Sequence, residues 1–596
     1  MTVVGTAGHV DHGKSTLLEA MTGRDPDRWA EEKRRGLTID LGFVWMTMPS
    51  GREVSFVDVP GHERFIKNML AGIEAIDVAL FVVAADEGWM PQSEEHLAVL
   101  DLLGVDRAVV ALTKVDRVDA DLVELATLET LERLEGTTLE GSPIVPVSAP
   151  TSEGLDRLIT ALDAALPDLE AGSDPHLWID RKFSVTGAGT IVTGTLLGGP
   201  VSVGDSLVTH PEGATVRVRG LESHEQTLET LAPHRRAAVN VVGFPEHLGR
   251  GTMLGGEDRW LPSDAFTAQL RTARYVDELG EKGAFHVHVG TAAVPARLRP
   301  MGDGFLIRLD RPLPLRYGER LIIRETGRRT VVAGGVVLDP APTGKSRQIR
   351  ASTQIPADLD PPRAAAELLA IRGQEHLSRL VAHAGAKPPE VTVVGALAVT
   401  DSELERLRAR AATEVEEFHF SNPLREGLPL ATLASRLGTT GDLASYAVGS
   451  SPELETDGAV VWRSGHTITL DPAQEEAWAT AQSMLEQGGL QAPRMSELPI
   501  GIEVVHRLIR AGELVRVSEE LVYLPAQAER LRQEIAGMGE GFTVAEFRDR
   551  LGISRKYAVP ILEWADTKGL TRRIGDTRFP VVTAEAGETG DDSASG

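Results

Sequence analysis

The feature that most constrains this chain is GHVDHGKS at residues 8–15. It matches G-x-x-x-x-G-K-[ST], follows the apolar run TVV and precedes an amphipathic stretch, the order of a strand, a phosphate loop and a helix. Gly8 and Gly13 let backbone N–H groups turn toward phosphate oxygens, so His9, Val10, Asp11, His12 and Thr16 are expected beside the ligand with them. Lys14 supplies a charge at the β and γ phosphates, and the Ser15 hydroxyl suits Mg2+. A glycine turn capping a helix is the plainer reading of such a pattern. Three further motifs, in order, argue against it.

DVPGHE (58–63) ends an apolar strand. There Asp58 is placed for the Mg2+ shell, Gly61 N–H for the γ-phosphate and His62 to position an attacking water. TKVD (113–116) ends another strand. The Asp116 carboxylate can accept two parallel hydrogen bonds from guanine N1–H and N2–H, which adenine cannot offer, and the Lys114 stem can cover the base. Thr113 stands where asparagine is commoner and lacks its amide fork, which puts affinity and exchange rate in question. Ser148 and Ala149 follow one α/β unit later and suit guanine O6. In RRGLTID (34–40), Thr38 would ligate Mg2+ only while a γ-phosphate is present, which makes the segment a switch. The ordered set predicts a site for GTP or GDP with Mg2+.

Around these motifs the pattern predicts several domains. Residues 1–172 alternate apolar runs (54–61, 79–86, 107–116) with amphipathic stretches, a doubly wound α/β G domain. Short Val-, Thr- and Ile-rich segments between Gly, Pro and Asp turns read as two antiparallel β-barrels, 173–258 and 259–342. Four winged helices of α+β character are expected at 343–425, 426–473, 474–527 and 528–582. The polar, acidic tail 583–596 is expected to be disordered.

These residues resemble the translational GTPases of the elongation factor Tu type. DVPGHERFIKNMLAGIEAIDVALFVVAADEGWMPQSEEHLAVLDLLGV (58–105), WIDRKFSVTGAGTIVTGTL (178–196) and RDRLGISRKYAVPILEWADTKGLTRRIGDTRF (548–579) are similar to the selenocysteine-specific elongation factors. That resemblance implies delivery of selenocysteyl-tRNA to the ribosome at UGA codons, with a selenocysteine insertion hairpin in the mRNA gripped by the winged helices. It implies that His62 orients the hydrolytic water behind a gate of Val10 and Leu37. It also implies an aminoacyl pocket at Asp180, Arg181 and Arg236, whose guanidinium groups favour a selenolate over the neutral hydroxyl of serine.

Charge adds an independent pointer. The chain carries 61 Lys and Arg against 87 Asp and Glu, a net charge of −26, which argues against a generic nucleic-acid binder. Yet residues 541–580 hold eight basic against five acidic side chains, 8 − 5 = +3. Arg548, Arg555, Lys556, Arg572, Arg573 and Arg578 are therefore candidate hairpin contacts. Tyr557 either stacks on an unpaired base or packs into the domain core.

The chain has no cysteine, which excludes disulfides and thiolate chemistry and fits a reducing cytoplasm. No apolar stretch reaches membrane length and no secretory signal is visible, so a cytoplasmic monomer without membrane contact is expected. No arginine finger is visible, so hydrolysis is expected to be stimulated by the ribosome. The GTPase subunit of a sulfate adenylyltransferase would share the phosphate loop but has no reason to carry a basic winged-helix tail. A GTP-sensing transcription regulator leaves the barrels unexplained.

Overall fold

The computed structural model describes residues 2–26, 41–60, 76–169, 172–185, 189–280, 283–328, 330–539 and 541–581. The chain divides into two compact units, Met1–Glu403 and Leu404–Gly596.

The first unit begins with a six-stranded sheet. Its strands are β1 (Thr2–Gly8), β2 (Gly42–Thr47), β3 (Glu53–Asp58), β4 (Val78–Ala84), β5 (Ala108–Thr113) and β6 (Ile144–Pro146), in the order β2-β3-β1-β4-β5-β6. All pairs are parallel except β2 with β3. The central strands are buried on both faces, so they read as unbroken apolar runs while their side chains alternate between two cores. From β4, Ala79, Phe81 and Val83 join one core, with helices α2 (Pro91–Leu102) and α3 (Ala120–Leu134). Val78, Leu80 and Val82 join the other, with α1 (Lys14–Thr22) and α4 (Leu155–Ala165). The carboxyl ends of β1, β3, β4 and β5 therefore open at one edge, where a ligand site in such a sheet forms.

Two barrels follow. In the first, the strands Ser206–His210, Met253–Gly255, His176–Trp178, Gly189–Leu197, Arg235–Val242 and Thr215–Ser223 pair in sequence, and the last returns to the first. The second is a closed barrel of six strands from Pro262–Thr272 to Thr330–Asp339. In its strand Ala292–Met301, Ala292, Val294, Ala296 and Leu298 face inward, the period-two burial of a barrel wall. Ala273, Ile322 and Val331 of this barrel extend the α2 side of the sheet's core. Arg271 Nη2 donates to the Asp101 carbonyl at 2.6 Å.

Four helical segments with small antiparallel sheets follow. The first, with helices Pro361–Arg372 and Leu377–Ala384 and a three-stranded sheet over 374–399, belongs to the first unit. The second unit holds a three-stranded sheet over 428–463 and two hairpins, Val515–Arg516 with Val522–Tyr523 and Thr571–Ile574 with Thr577–Pro580. Before the last hairpin, Thr543 and Glu546 form a capping box that starts helix Val544–Leu551, and Gly552 ends it at φ 62°. The next helix, Arg555–Thr567, buries Tyr557, Ala558, Ile561, Leu562, Trp564 and Ala565 on one stripe. The residues expected as a disordered tail lie outside the described residues. No described helix is long and apolar enough to cross a membrane.

Candidate functional site

The loop after β1 is shaped by its two glycines. A Cβ on Gly8 would sit 2.1 Å from the Val82 carbonyl oxygen, and Gly13 starts α1 in the left-handed region at φ 86°. Lys14 is buried, and its Nζ donates to the carbonyls of Gly8 at 3.0 Å and His9 at 2.6 Å. Burial pushes its pKa down to about 8, against the opposing pull of Asp58 and Asp11. Ser15 Oγ donates to Asp58 Oδ2 at 2.7 Å, and Thr6 Oγ1 donates to Asp58 Oδ1 at 2.7 Å. A hydroxyl and a carboxylate held this close form the hard-oxygen pair that a Mg2+ ion takes. His9 Nδ1 and His12 Nε2 are buried beside the loop without a hydrogen-bond partner in the structure, as expected of a cradle built for a polar ligand.

Sequence reasoning missed two residues that brace this loop. The Gly8 N–H donates to His96 Nδ1 at 2.9 Å, and the Val10 N–H donates to Gln92 Oε1 at 3.0 Å. Gln92 and His96 lie one turn apart on α2, so one helix face holds two amides of the loop. Burial, and secondarily the Lys14 charge, pushes the His96 pKa down to about 3, which keeps it neutral and Nδ1 able to accept. The signal was the pair Gln92 and His96 at helical spacing, directly after a strand of the phosphate-loop sheet. Burial also pushes His12 down to about 4.

At the base end, Thr113 closes β5. Its Oγ1 donates to the His12 carbonyl at 2.7 Å, so it ties the end of β5 to the phosphate loop without an amide. Lys114 Nζ pairs with Glu87 at 2.6 Å and Asp86 at 3.2 Å. Asp116 is exposed on the short 3-10 turn Val115–Arg117, so its carboxylate is accessible from solvent. Ser148 is buried, and its Oγ accepts from the Thr151 N–H at 3.3 Å, while Ala149 is half-buried beside it. Thr16 lies on the first turn of α1. Leu37, Thr38, Gly61 and His62 lie outside the described residues.

A second cluster sits where the sheet meets the first barrel. Arg236 is bidentate to the buried Asp180: Nη2 donates to Oδ1 at 2.8 Å and Nη1 to Oδ2. Thr193 Oγ1 donates to the same carboxylate at 2.8 Å. The Arg236 guanidinium lies 3.8 Å from the ring centre of Phe43, and that of Arg181 lies 5.5 Å from it. Arg181 Nη2 donates to the Leu41 carbonyl at 2.6 Å. A cavity of about 310 Å3 opens here, lined by Phe43, Arg181 and Arg236 and by Trp45, which stacks on His224. The structure thus brings the three expected residues together and adds Phe43, whose aromatic role no local sequence pattern marked.

In the second unit the basic island is sorted by its partners. Arg555, Lys556, Arg572 and Arg573 are exposed, the first two on the opening turn of the last helix and the others on the hairpin. Two expected contacts are corrected. Tyr557 is buried in the core cluster, so it packs inward and offers no ring to a base. Arg578 is only 3% exposed and pairs with Asp566 at 2.9 Å, where it holds the hairpin to the helix. Arg548 is half-buried and pairs with Asp549 at 2.6 Å.

A phosphate loop with a hydroxyl–carboxylate pair, in a doubly wound sheet followed by two barrels, defines a GTP-binding factor of the elongation factor Tu class. Residues 1–168 match the Elongation factor Tu GTP binding domain family, and the chain is a translational GTPase. Residues 263–344 match the beta-barrel domain of the selenocysteine-specific elongation factor, and residues 533–579 the winged helix of elongation factor SelB. The chain is 32% identical to the selenocysteine-specific elongation factor of Desulfomicrobium baculatum, over 97% of this chain and 99% of that one. It is also 32% identical to that of Escherichia coli (strain K12), over 96% and 98%. A crystal structure of a bacterial selenocysteine-specific elongation factor superposes with a TM-score of 0.72 at 26% identity, covering 98% of this chain and all of that one. The chain belongs to the selenocysteine-specific elongation factor family.

Proposed function

We propose that this GTPase carries selenocysteyl-tRNA to the ribosome at UGA codons, recruited by a selenocysteine insertion hairpin in the mRNA. The observation that carries the reading is the Asp180–Arg236–Arg181 cluster against Phe43, beside the GTPase sheet. Arg181 and Arg236 bring two guanidinium groups to this cavity, and their N–H groups can donate to a selenolate, whereas the serine hydroxyl is neutral.

In this reading Lys14 and the loop amides hold the β and γ phosphates, and Asp116 with Ser148 and Ala149 selects guanine. Ser15, Thr38 and Asp58 hold Mg2+, which would neutralise charge on the phosphates when bound. Thr38 and Gly61 sense the γ-phosphate, and the grip on aminoacyl-tRNA follows their state. His62, once swung past Val10 and Leu37 on the ribosome, orients a water for in-line attack on the γ-phosphorus. Arg555, Lys556, Arg572 and Arg573 grip the hairpin, and the protein works as a cytoplasmic monomer.

The test compares selenocysteyl-tRNA with seryl-tRNA. Arg236→Ala should lower the preference for the selenocysteyl form by about tenfold or more, since a charge-assisted contact contributes about 1.5–3 kcal/mol. Undiminished discrimination would remove the cluster from the pocket.

A further inference from the structure

We infer that a cleft of about 450 Å3 in the second unit is a second RNA-binding site, one that takes the phosphate backbone of an unpaired RNA strand. Its walls include Arg425, His506, Arg510 and Arg516, together with Glu426 and Glu503. Helix Ile502–Arg510 buries Val504, Val505 and Leu508 and turns Glu503, His506 and Arg510 toward the cleft. Arg516 lies on the hairpin strand Val515–Arg516 that follows that helix. Helix and hairpin thus offer cations together, the same two elements that carry Arg555, Lys556, Arg572 and Arg573 in the last winged helix.

Arginines of this unit differ in whether a carboxylate already faces them. Arg436, Arg463, Arg494, Arg507, Arg532, Arg548, Arg550 and Arg578 each lie within 4 Å of a carboxylate. Among the described residues, Arg425, Arg510 and Arg516 have no such partner; Arg408, Arg410, Arg530 and the exposed arginines of the last winged helix also lack one, but these three line one cleft. Arg510 donates to the Leu424 carbonyl at 3.2 Å and Arg516 to the Ser518 carbonyl at 3.2 Å, contacts that orient each fork without neutralising it. In a chain of net charge −26, three guanidinium groups against Glu426 and Glu503 leave 3 − 2 = +1 around one hollow, and the planar fork of each arginine matches a phosphodiester.

Phe420 turns the anion site into a strand site. It is 91% exposed on the last turn of helix Asp401–Ser421, five residues before Arg425. A bare aromatic face five residues along the chain from a cleft arginine supplies the second half of the combination that binds single strands, stacking of bases beside tracking of phosphates.

The test uses the full chain and a labelled, unstructured 20-nucleotide RNA, in a background carrying Arg555→Gln and Arg573→Gln so that the last winged helix contributes little. Changing Arg425, Arg510 and Arg516 together to Gln should weaken binding about tenfold and reduce the magnitude of the salt slope by about two, at roughly 0.7 per phosphate contact. Phe420→Ala should weaken binding fivefold or more with the salt slope unchanged. Both variants should keep the parent melting temperature, because the four side chains are exposed. Unchanged affinity in either variant overturns the inference. So does competition by pyrophosphate or polyglutamate as strong as that by RNA at equal charge, since the cleft would then be a simple anion site or a peptide site. Loss of hairpin binding in the Arg555 and Arg573 background bears on the proposed function and leaves this cleft untouched.

Discussion

Two cationic regions of this protein, the phosphate loop and the last winged helix, hold their charge in opposite ways. In the phosphate loop a single ammonium, Lys14, is buried and held by two carbonyls, so an anion must enter a prepared cradle to meet it. In the last winged helix, four cations stand in water on a helix turn and a hairpin, while Arg578 is spent inside the domain on Asp566. A buried cation near a preformed loop selects one ligand geometry. Exposed cations supply long-range attraction and tolerate many shapes. The lesson is that the position of a charge, and whether a carboxylate already faces it, decides whether it binds, steers or merely folds.

The sharpest way to break this contrast lies within the last winged helix. Arg578→Ala should destabilise that domain by about 2 kcal/mol. Removing one partner of a fully buried pair costs about 3–5 kcal/mol, and here Asp566 is partly solvated. Arg573→Ala should leave its melting transition in place and reduce the magnitude of the hairpin-binding salt slope by about one. Thermal unfolding and salt titration on both variants separate a folding cation from a binding one. If Arg578→Ala melts like the parent, its burial carries no structural weight.

A smaller effect probes the other region. His96→Leu removes the acceptor for the Gly8 N–H, an unmet buried donor worth about 1–3 kcal/mol, so GTP affinity should fall about tenfold. His96→Asn, whose amide oxygen can stand near the position of Nδ1, should recover most of it. A merely structural role would lower stability in both variants without this split in affinity.

Much of the architecture was legible because local rules were strict. Apolar runs of seven residues such as β4 are what a sheet covered on both faces requires, and Gly8 and Gly13 sit where backbone geometry excludes a side chain. The phosphate-loop motif is a statement about consecutive residues, and it survived folding intact. What was not legible depended on partners far apart in the chain. Gln92 and His96 reach residues 82 and 88 positions away, and Phe43 meets Arg236 across the sheet–barrel junction. Charge counting over 541–580 could not tell Arg578 from Arg573, because only the fold shows that Asp566 faces one of them. Tyr557 was ambiguous for the same reason: an aromatic on a short amphipathic helix reads alike whether its stripe faces core or solvent.

The smallest expected effect sharpens the comparison from the buried side. Burial lowers the Lys14 pKa to about 8, so the ammonium is fully present below that value and is lost as pH rises through it. The bound triphosphate favours the charged form, so above pH 8 binding must first restore a proton. Between pH 7 and 8.5 the protonated fraction falls about fourfold, and GTP affinity should fall by about the same factor, with proton uptake detectable by calorimetry in two buffers. The exposed arginines stay charged throughout this range, so hairpin affinity at fixed salt should not move. A GTP affinity flat from pH 7 to 8.5 would mean that the lysine is not desolvated in the free protein. The cradle would then be open to water until nucleotide arrives, and the contrast between a prepared site and a steering surface would be lost.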